Sequence, residues 1–406
     1  MHARTEPRGG SAALVVGSAV NGLAAYGFIA LGTRGLGAAR FAPVAVVWVF
    51  WAFSAASLTF PVQHWLIRQM QLDGHAGGAR AALVRVGALA GAVAAGEVLV
   101  AALWRNRLFG DEHWAWPLVV AGVAAGAGLL GVVRGLLAGS GRFAAAAVAV
   151  GGENVVRLAV GAAVVACGGG PLALAAVLVS GPAVVFLWPG LLRSTGPRVP
   201  GRPAAGLVGA TALSAVLAQV ALNGGPPVLA ALGGEEAEVT GLFLALALFR
   251  APYLLALGLT VRATAPLTRL VAEGGRRRLR ERAWAAAGIS VVATAAAFGV
   301  GWALGPRVIR TLFGPGTDLS GALTGAVAAG CVLALGSLAL TVMLIAASAR
   351  LALAASWIAA CVIGAGVLAA GAGLGASARV VAAFTAAELS AVVAGLGTLL
   401  WPRSDR

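Results

Sequence analysis

The sequence predicts an all-α polytopic membrane protein with about 12 transmembrane helices in two six-helix lobes, and three observations lead there. Hydrophobic residues make up 60% of the 406 residues and charged residues only 11%, a balance that no soluble core of this size could hide. The apolar residues fall into stretches of about twenty, the length a helix needs to cross a hydrocarbon core roughly 30 Å thick. All 29 basic residues are Arg, and most sit between those stretches or at their ends, where they set orientation.

The first stretch, Ser11–Leu31, stands behind Arg4 and Arg8. It is too long for a signal peptide and lacks a small-x-small cleavage site, so it reads as a first span that doubles as a signal anchor. Pro43–Leu66, Leu83–Trp104 and Pro117–Ala138 follow, and the last carries Gly122, Gly126, Gly131, Gly135 and Gly139. Small residues at such spacing let helix backbones approach closely where lipid gives no hydrophobic drive for association. Ala144–Ala166 and Pro171–Leu192 complete six spans.

The seventh, Ala204–Leu232, contains Asn223-Gly224-Gly225-Pro226-Pro227. Two prolines remove two amide donors inside an apolar stretch, so this span is expected to bend or break there. Gly241–Pro266, Ala283–Leu304, Ala322–Ala347, Ala352–Ala370 and Arg379–Leu400 make up the remaining five. The polar stretch Leu192–Pro203 divides the chain into an N-terminal lobe, 1–192, a linker, 193–203, and a C-terminal lobe, 204–406. Six spans on each side fit a parallel duplication, as does the echo of Pro61, Arg68 and Asp73-Gly74 in Pro266, Arg269 and Glu273-Gly274.

With the N-terminus inside, the cytoplasmic segments hold 19 Arg, Arg134 and Arg142 among them, and the opposite face holds seven, including Arg34 and Arg40. The bias places both termini in the cytoplasm. The formal charge of +15 is therefore topogenic, and nucleic acid is not an expected partner. Arg276, Arg277 and Arg278 in the basic segment Glu273–Arg282 are expected to meet anionic lipid headgroups.

Enzyme chemistry finds no support. The chain has no Lys for a Walker A loop, no His-Glu-x-x-His and no paired Cys motif, and no cofactor is implied. His2, His64, His75 and His113 are scattered, and Cys167, Cys331 and Cys361 show no paired spacing. Asp111-Glu112 reads as a solvated turn.

Function is expected among the ionisable residues inside spans, which are costly there and normally face the bundle interior. These are Glu97, Glu153, Arg157, Arg250, Arg262 and Glu388. Glu153 and Arg157 are four apart and share a helix face, where a structural ion pair competes with a functional role. Arg250 is too deep to reach the surface easily, whereas Arg262 lies near a span end and can snorkel. Glu97, Glu388 and Glu153 are candidates for ion coupling. Asn21, Gln63, Gln219 and Asn223 add neutral polar groups on spans one, two and seven. An interior lined by Arg with few acids attracts anions, and guanidinium groups grip phosphate bidentately.

The run Ser18 to Gly37, followed by Arg40-Phe41 and Trp48, resembles the first two helices of bacterial polysaccharide-export flippases. These belong to the superfamily that also holds the lipid II flippases and the multidrug-and-toxin extruders. Arg134-Gly-Leu-Leu-Ala-Gly-Ser-Gly-Arg-Phe143, with Glu153 and Arg157 beyond it, is similar to their fourth and fifth helices, and Phe249-Arg-Ala-Pro-Tyr253 to their eighth. The resemblance covers about 270 residues from the N-terminus. It implies two lobes around a central cavity, alternating access, and an undecaprenyl-diphosphate-linked glycan as cargo. Having about twelve spans rather than fourteen sets the chain apart from lipid II flippases.

On this reading Arg250 and Arg34 contact the diphosphate, Arg157, Asn21, Asn223 and Gln63 complete the substrate site, and polysaccharide-synthesis enzymes are partners in the bacterial plasma membrane. A proton- or sodium-coupled multidrug antiporter of the same fold is the alternative, for which Glu97 or Glu388 would be essential. A noncatalytic membrane scaffold in polysaccharide synthesis is the third.

Overall fold

The computed structural model describes residues 8–73, 79–193, 210–317 and 319–401. Among them every regular element is helical. The chain forms two compact units, Met1–Val208 and Gly209–Arg406. Most of the expected linker lies outside the described residues.

In the first unit α1 (Arg8–Leu36), α2 (Ala38–Ser54) and α3 (Phe60–Asp73) are followed by α4 (Ala79–Leu103) and a short α5 (Arg105–Phe109). Next come α6 (Ala115–Gly139), α7 (Phe143–Ala166), α8 (Pro171–Ala176) and α9 (Pro189–Arg193). α2 runs into α3 through a π-helical turn, Ala55–Thr59, a geometry that widens one turn and is found mostly where a side chain must be re-aimed.

The second unit holds α10 (Ala210–Asn223), α11 (Gly225–Ala231), α12 (Glu236–Phe249) and α13 (Ala251–Ala272). It ends with α14 (Arg276–Phe313), α15 (Gly321–Ala346), α16 (Arg350–Ala370) and α17 (Ala376–Leu400).

Nine helices among the described residues are long and apolar enough to cross a membrane, ten if the pair around Gly224 counts as one. The protein is thus a multi-pass membrane protein. Besides the second span with its π-helical turn, three of the twelve expected spans are not uninterrupted α-helices. Pro171–Leu187 has six α-helical residues and then eleven in 3₁₀ conformation. At rises of about 1.5 and 2.0 Å per residue it still reaches roughly 31 Å. The expected span Gly241–Pro266 is broken at Arg250, which ends α12 and caps α13, with Pro252 in the new first turn. The seventh span bends by 62° between Asn223 and Gly225, as its Gly-Gly-Pro-Pro sequence requires. The basic segment before the ninth span is not a loop beyond Gly275, because Arg276–Arg282 form the first turns of the 38-residue α14.

Small residues set the packing. Gly17 of α1 sits so close to α7 that a Cβ would lie 2.6 Å from the Ala147 carbonyl oxygen. A Cβ on Gly131 of α6 would lie 2.9 Å from the Thr59 carbonyl oxygen, so the glycine series of the fourth span is a packing stripe. Leu130, Val133, Leu137 and Ala149 form one core with Val184 and Val185 of the 3₁₀ segment. In the second unit Leu340, Leu353, Trp357, Ala360 and Ala391 form another. Ile289, Val291 and Val292 of α14 stay exposed, a face suited to lipid rather than water.

Candidate functional site

The close approach of α1 and α7 prepares a buried polar cluster in the first unit. One turn of α7 supplies Glu153, Asn154 and Arg157, all buried. The expected pair is present, with Arg157 Nη2 2.6 Å from Glu153 Oε1. It is not alone: Arg134 of α6 places Nη2 2.5 Å from Glu153 Oε2 and donates to the Ala149 carbonyl at 3.0 Å. Arg134 therefore lies inside α6 and is buried in the protein, 6% exposed, rather than in a segment between helices.

Trp51 of α2 donates its indole N–H to Glu153 Oε1 at 2.9 Å. Arg157 lies over the same ring, Cζ 4.6 Å from its centroid. Trp48 meets Trp51 edge to face at 5.2 Å and Phe28 at 5.4 Å, so the rings carry the cluster into the apolar core. Arg157 also donates from Nε to the Leu178 carbonyl at 3.1 Å and from Nη1 to Asn154 Oδ1 at 2.9 Å. Asn154 in turn donates to Asn21 Oδ1 of α1 at 3.0 Å.

Two guanidinium groups face one carboxylate, so the cluster carries an excess positive charge, and Arg134 Nε has no hydrogen-bond partner among the described residues. Glycine at position 181 makes room for the guanidinium: a Cβ added there would stand 2.6 Å from Arg157 Nε and force that side chain to shift. The carbonyl that receives Arg157 Nε, that of Leu178, belongs to the 3₁₀ segment.

A second polar pair lies where the π-turn begins. Ser54 Oγ is 2.8 Å from both carboxylate oxygens of Glu97 on α4. Both residues are buried, and among the described residues no salt bridge reaches Glu97. A hydroxyl has one proton and two lone pairs. It can donate to one oxygen of a carboxylate, or donate to one and accept from the other once the acid is protonated, so the same geometry serves both states.

The second unit has its own carboxylate, Glu388 of α17, 1% exposed, with Ser337 of α15 donating to Oε2 at 3.0 Å. The Ser337 hydroxyl also stands 3.0 Å from the Ala334 carbonyl, and its single proton serves one of the two. Arg250 donates to Asn223 Oδ1, so the residue that breaks the eighth span is tied to the residue at the bend of the seventh. Asn223 donates onward to Gln219 Oε1 at 2.8 Å.

The sequence candidates thus separate into groups. Asn21, Glu153 and Arg157 share one cluster, Asn223 and Arg250 another, and Glu97 and Glu388 each pair with a serine. Gln63 is half-buried on α3 beside Gly135, and Arg34 is exposed in the last turn of α1. The Arg262 side chain lies outside the described residues. Sequence reading missed Trp51, Ser54, Asn154 and Ser337 as partners. Asn154 was detectable as a polar neighbour of Glu153, whereas nothing local marks Ser54 or Ser337 among ordinary span residues. Among the described residues no group of three or more metal-ligating side chains forms.

No family model and no curated protein matches the chain. Solved structures do. A multidrug resistance MATE family transporter of the MOP superfamily, in an inward-facing conformation, superposes with a TM-score of 0.66 at 16% identity, covering 93% of this chain and 94% of that one. The chain has the MATE transporter fold. A MATE protein in complex with MaD3S gives a TM-score of 0.58 at 15% identity, covering 98% of this chain and 96% of that one. An outward-facing MATE family transporter gives 0.57 at 15% identity, with the same coverage. The likeness extends through the C-terminal third, where the sequence offers hydropathy alone.

Proposed function

We propose that the chain is a proton-coupled secondary transporter that exports an organic cargo by alternating access, with Glu97 and Glu388 as proton-exchange groups. The single observation that carries this reading is the Ser54–Glu97 pair, a buried carboxylate whose serine partner suits both of its protonation states. Such a group inside a span is expensive and marks function more often than packing. The three oxygens that the pair provides are too few to replace the hydration shell of sodium, which favours a proton. The MATE fold supports transport, since structures of this fold have been captured facing inward and outward. The Arg asymmetry supports both termini on the cytoplasmic side of a bacterial plasma membrane.

The test is export of a fluorescent organic cation from vesicles holding the purified protein. An imposed proton gradient should accelerate export in the native protein and not in a Glu97→Gln/Glu388→Gln variant of normal stability. Equal gradient-driven export by that variant would remove proton exchange at these residues.

A specific observation keeps a second reading alive. Arg250, held by Asn223 where two interrupted spans meet, presents a buried guanidinium suited to a diphosphate, and the motif around it resembles that of polysaccharide-export flippases. On that reading the cargo is an undecaprenyl-diphosphate-linked glycan. Arg250→Ala should then abolish translocation of a lipid-linked saccharide in vesicles, whereas the organic-cargo reading predicts no saccharide translocation in the native protein.

A further inference from the structure

The N-terminal turns of α14 open onto a cleft that neither transport reading uses. Arg276 and Arg280 line it together with Val271 of α13, Leu279, Leu344, the turn residues Ala347 and Ala349, and Thr398, Leu399 and Trp401 at the end of α17. Arg276 and Arg280 are four residues apart, so they stand one above the other on a single face of α14. Leu279, Leu344 and Leu399 behind them are buried, which gives the cleft an apolar floor beneath a cationic rim. Trp401 is 79% exposed at the end of a spanning helix, the level at which indole rings sit among lipid headgroups.

Basic residues outnumber acidic ones in this segment. Residues 273–282 contain five Arg and two Glu. One of those Glu residues, Glu281, is occupied by the exposed Arg277 at 3.0 Å, which turns Arg277 away from this role. Five cations in the first two turns of a helix also oppose its dipole, and an anion at this spot relieves that repulsion. The C-terminal ends of α15 and α17 attract the two guanidinium groups as well, but the excess of Arg over Glu in the segment persists.

We infer that this cleft binds the phosphate of an anionic phospholipid headgroup, with Arg276 and Arg280 gripping the phosphate, Trp401 at headgroup level and the acyl chains lying along the exposed apolar face of α14. The expectation that Arg276, Arg277 and Arg278 act alike as headgroup contacts is thereby narrowed to Arg276 joined by Arg280. The inference is independent of what the protein transports.

The experiment is a lipid titration of the detergent-purified full chain, read as thermal stabilisation and as lipid adducts in native mass spectrometry. Phosphatidylglycerol, phosphatidylcholine and inorganic phosphate serve as separate probes. Phosphatidylglycerol should stabilise the protein, and Arg276→Ala/Arg280→Ala should weaken its apparent affinity about 25-fold, about fivefold for each of the two Arg residues that line the cleft. The control Arg277→Ala/Arg278→Ala removes the same formal charge and should change it less than threefold. Equal losses in both double variants would show diffuse charge attraction and overturn the site. Full stabilisation by inorganic phosphate alone, or by phosphatidylcholine, would overturn the anionic-lipid assignment. Variants that elute and melt as the native protein without lipid give the comparison its meaning.

Discussion

The guanidinium of Arg157 lies 4.6 Å from the centroid of the Trp51 ring, and the N–H of the same indole is given to Glu153, the carboxylate paired with that guanidinium. One side chain of α2 thus touches both members of an ion pair on α7. This separates two roles of the ring. Trp51→Phe keeps an aromatic face under Arg157 and deletes the donor, and is expected to cost about 1.5–3 kcal/mol, the range for a hydrogen bond to a charged group. Trp51→Ala deletes both and leaves a cavity, so about 3–5 kcal/mol is expected. Unfolding in detergent, followed by tryptophan-independent circular dichroism, checks the order Phe before Ala.

Glu153 carries a heavier duty, because it is the only carboxylate with a salt bridge to Arg134 or Arg157 among the described residues. Glu153→Ala leaves two buried guanidinium groups uncompensated, and a loss of about 3–5 kcal/mol is expected. Removing one of them as well should recover part of that loss: Glu153→Ala/Arg134→Met should unfold at a higher temperature than Glu153→Ala alone. A double variant no more stable than the single one would mean that Arg157, not Arg134, bears the unpaired charge. The same pair of proteins, assayed for transport, separates a scaffold role of the cluster from a role in the cycle.

Gly181 offers a steric test of the 3₁₀ segment. A methyl group there would stand 2.6 Å from Arg157 Nε and 2.8 Å from Cζ, so the guanidinium must retreat and surrender its bond to the Leu178 carbonyl. Gly181→Ala is expected to destabilise by about 1–3 kcal/mol, as overpacking of a filled site does. Gly288→Ala is the comparison, since a methyl group there meets nothing within 4 Å and the helix propensity of Ala favours it. Melting temperatures of the two variants should therefore move in opposite directions.

Legibility in the sequence followed the range of the forces involved. The spans were readable because hydropathy is a property of a contiguous window, and the bend at Asn223–Gly225 because proline acts on its own helix. The Glu153–Arg157 contact was readable because four residues make one helical turn. Arg134 was placed in a cytoplasmic segment because it lies one turn and a half from Ser140, near a span end. Its burial depends on where α7 packs, which no local pattern encodes. Ser54 is one of many small span residues, and only the approach of α4 gives it a carboxylate. The break at Arg250 had a local signal, the following Ala-Pro, yet a single proline at the start of a helix is equally at home in an unbroken one.

The Ser54–Glu97 pair yields the prediction that joins structure to transport most directly. Glu97→Gln is nearly isosteric and keeps a carbonyl oxygen that can accept the Ser54 proton, so the fold should survive with a change below about 1.5 kcal/mol. Its amide cannot exchange a proton, so coupling should be lost while cargo binding remains. Ser54→Ala does the reverse: it leaves a titrating carboxyl without the hydroxyl that holds it at the start of the π-turn. Proton-driven export should then persist at a reduced rate and with an altered pH dependence. Glu388→Gln and Ser337→Ala form the matching set in the second unit. Export from vesicles at a fixed gradient, compared with export driven by cargo concentration alone, distinguishes the outcomes. If both glutamine variants retain gradient-driven export at the native rate, Glu97 and Glu388 are buried acids of structural value only, and the lipid-linked glycan reading centred on Arg250 becomes the stronger one.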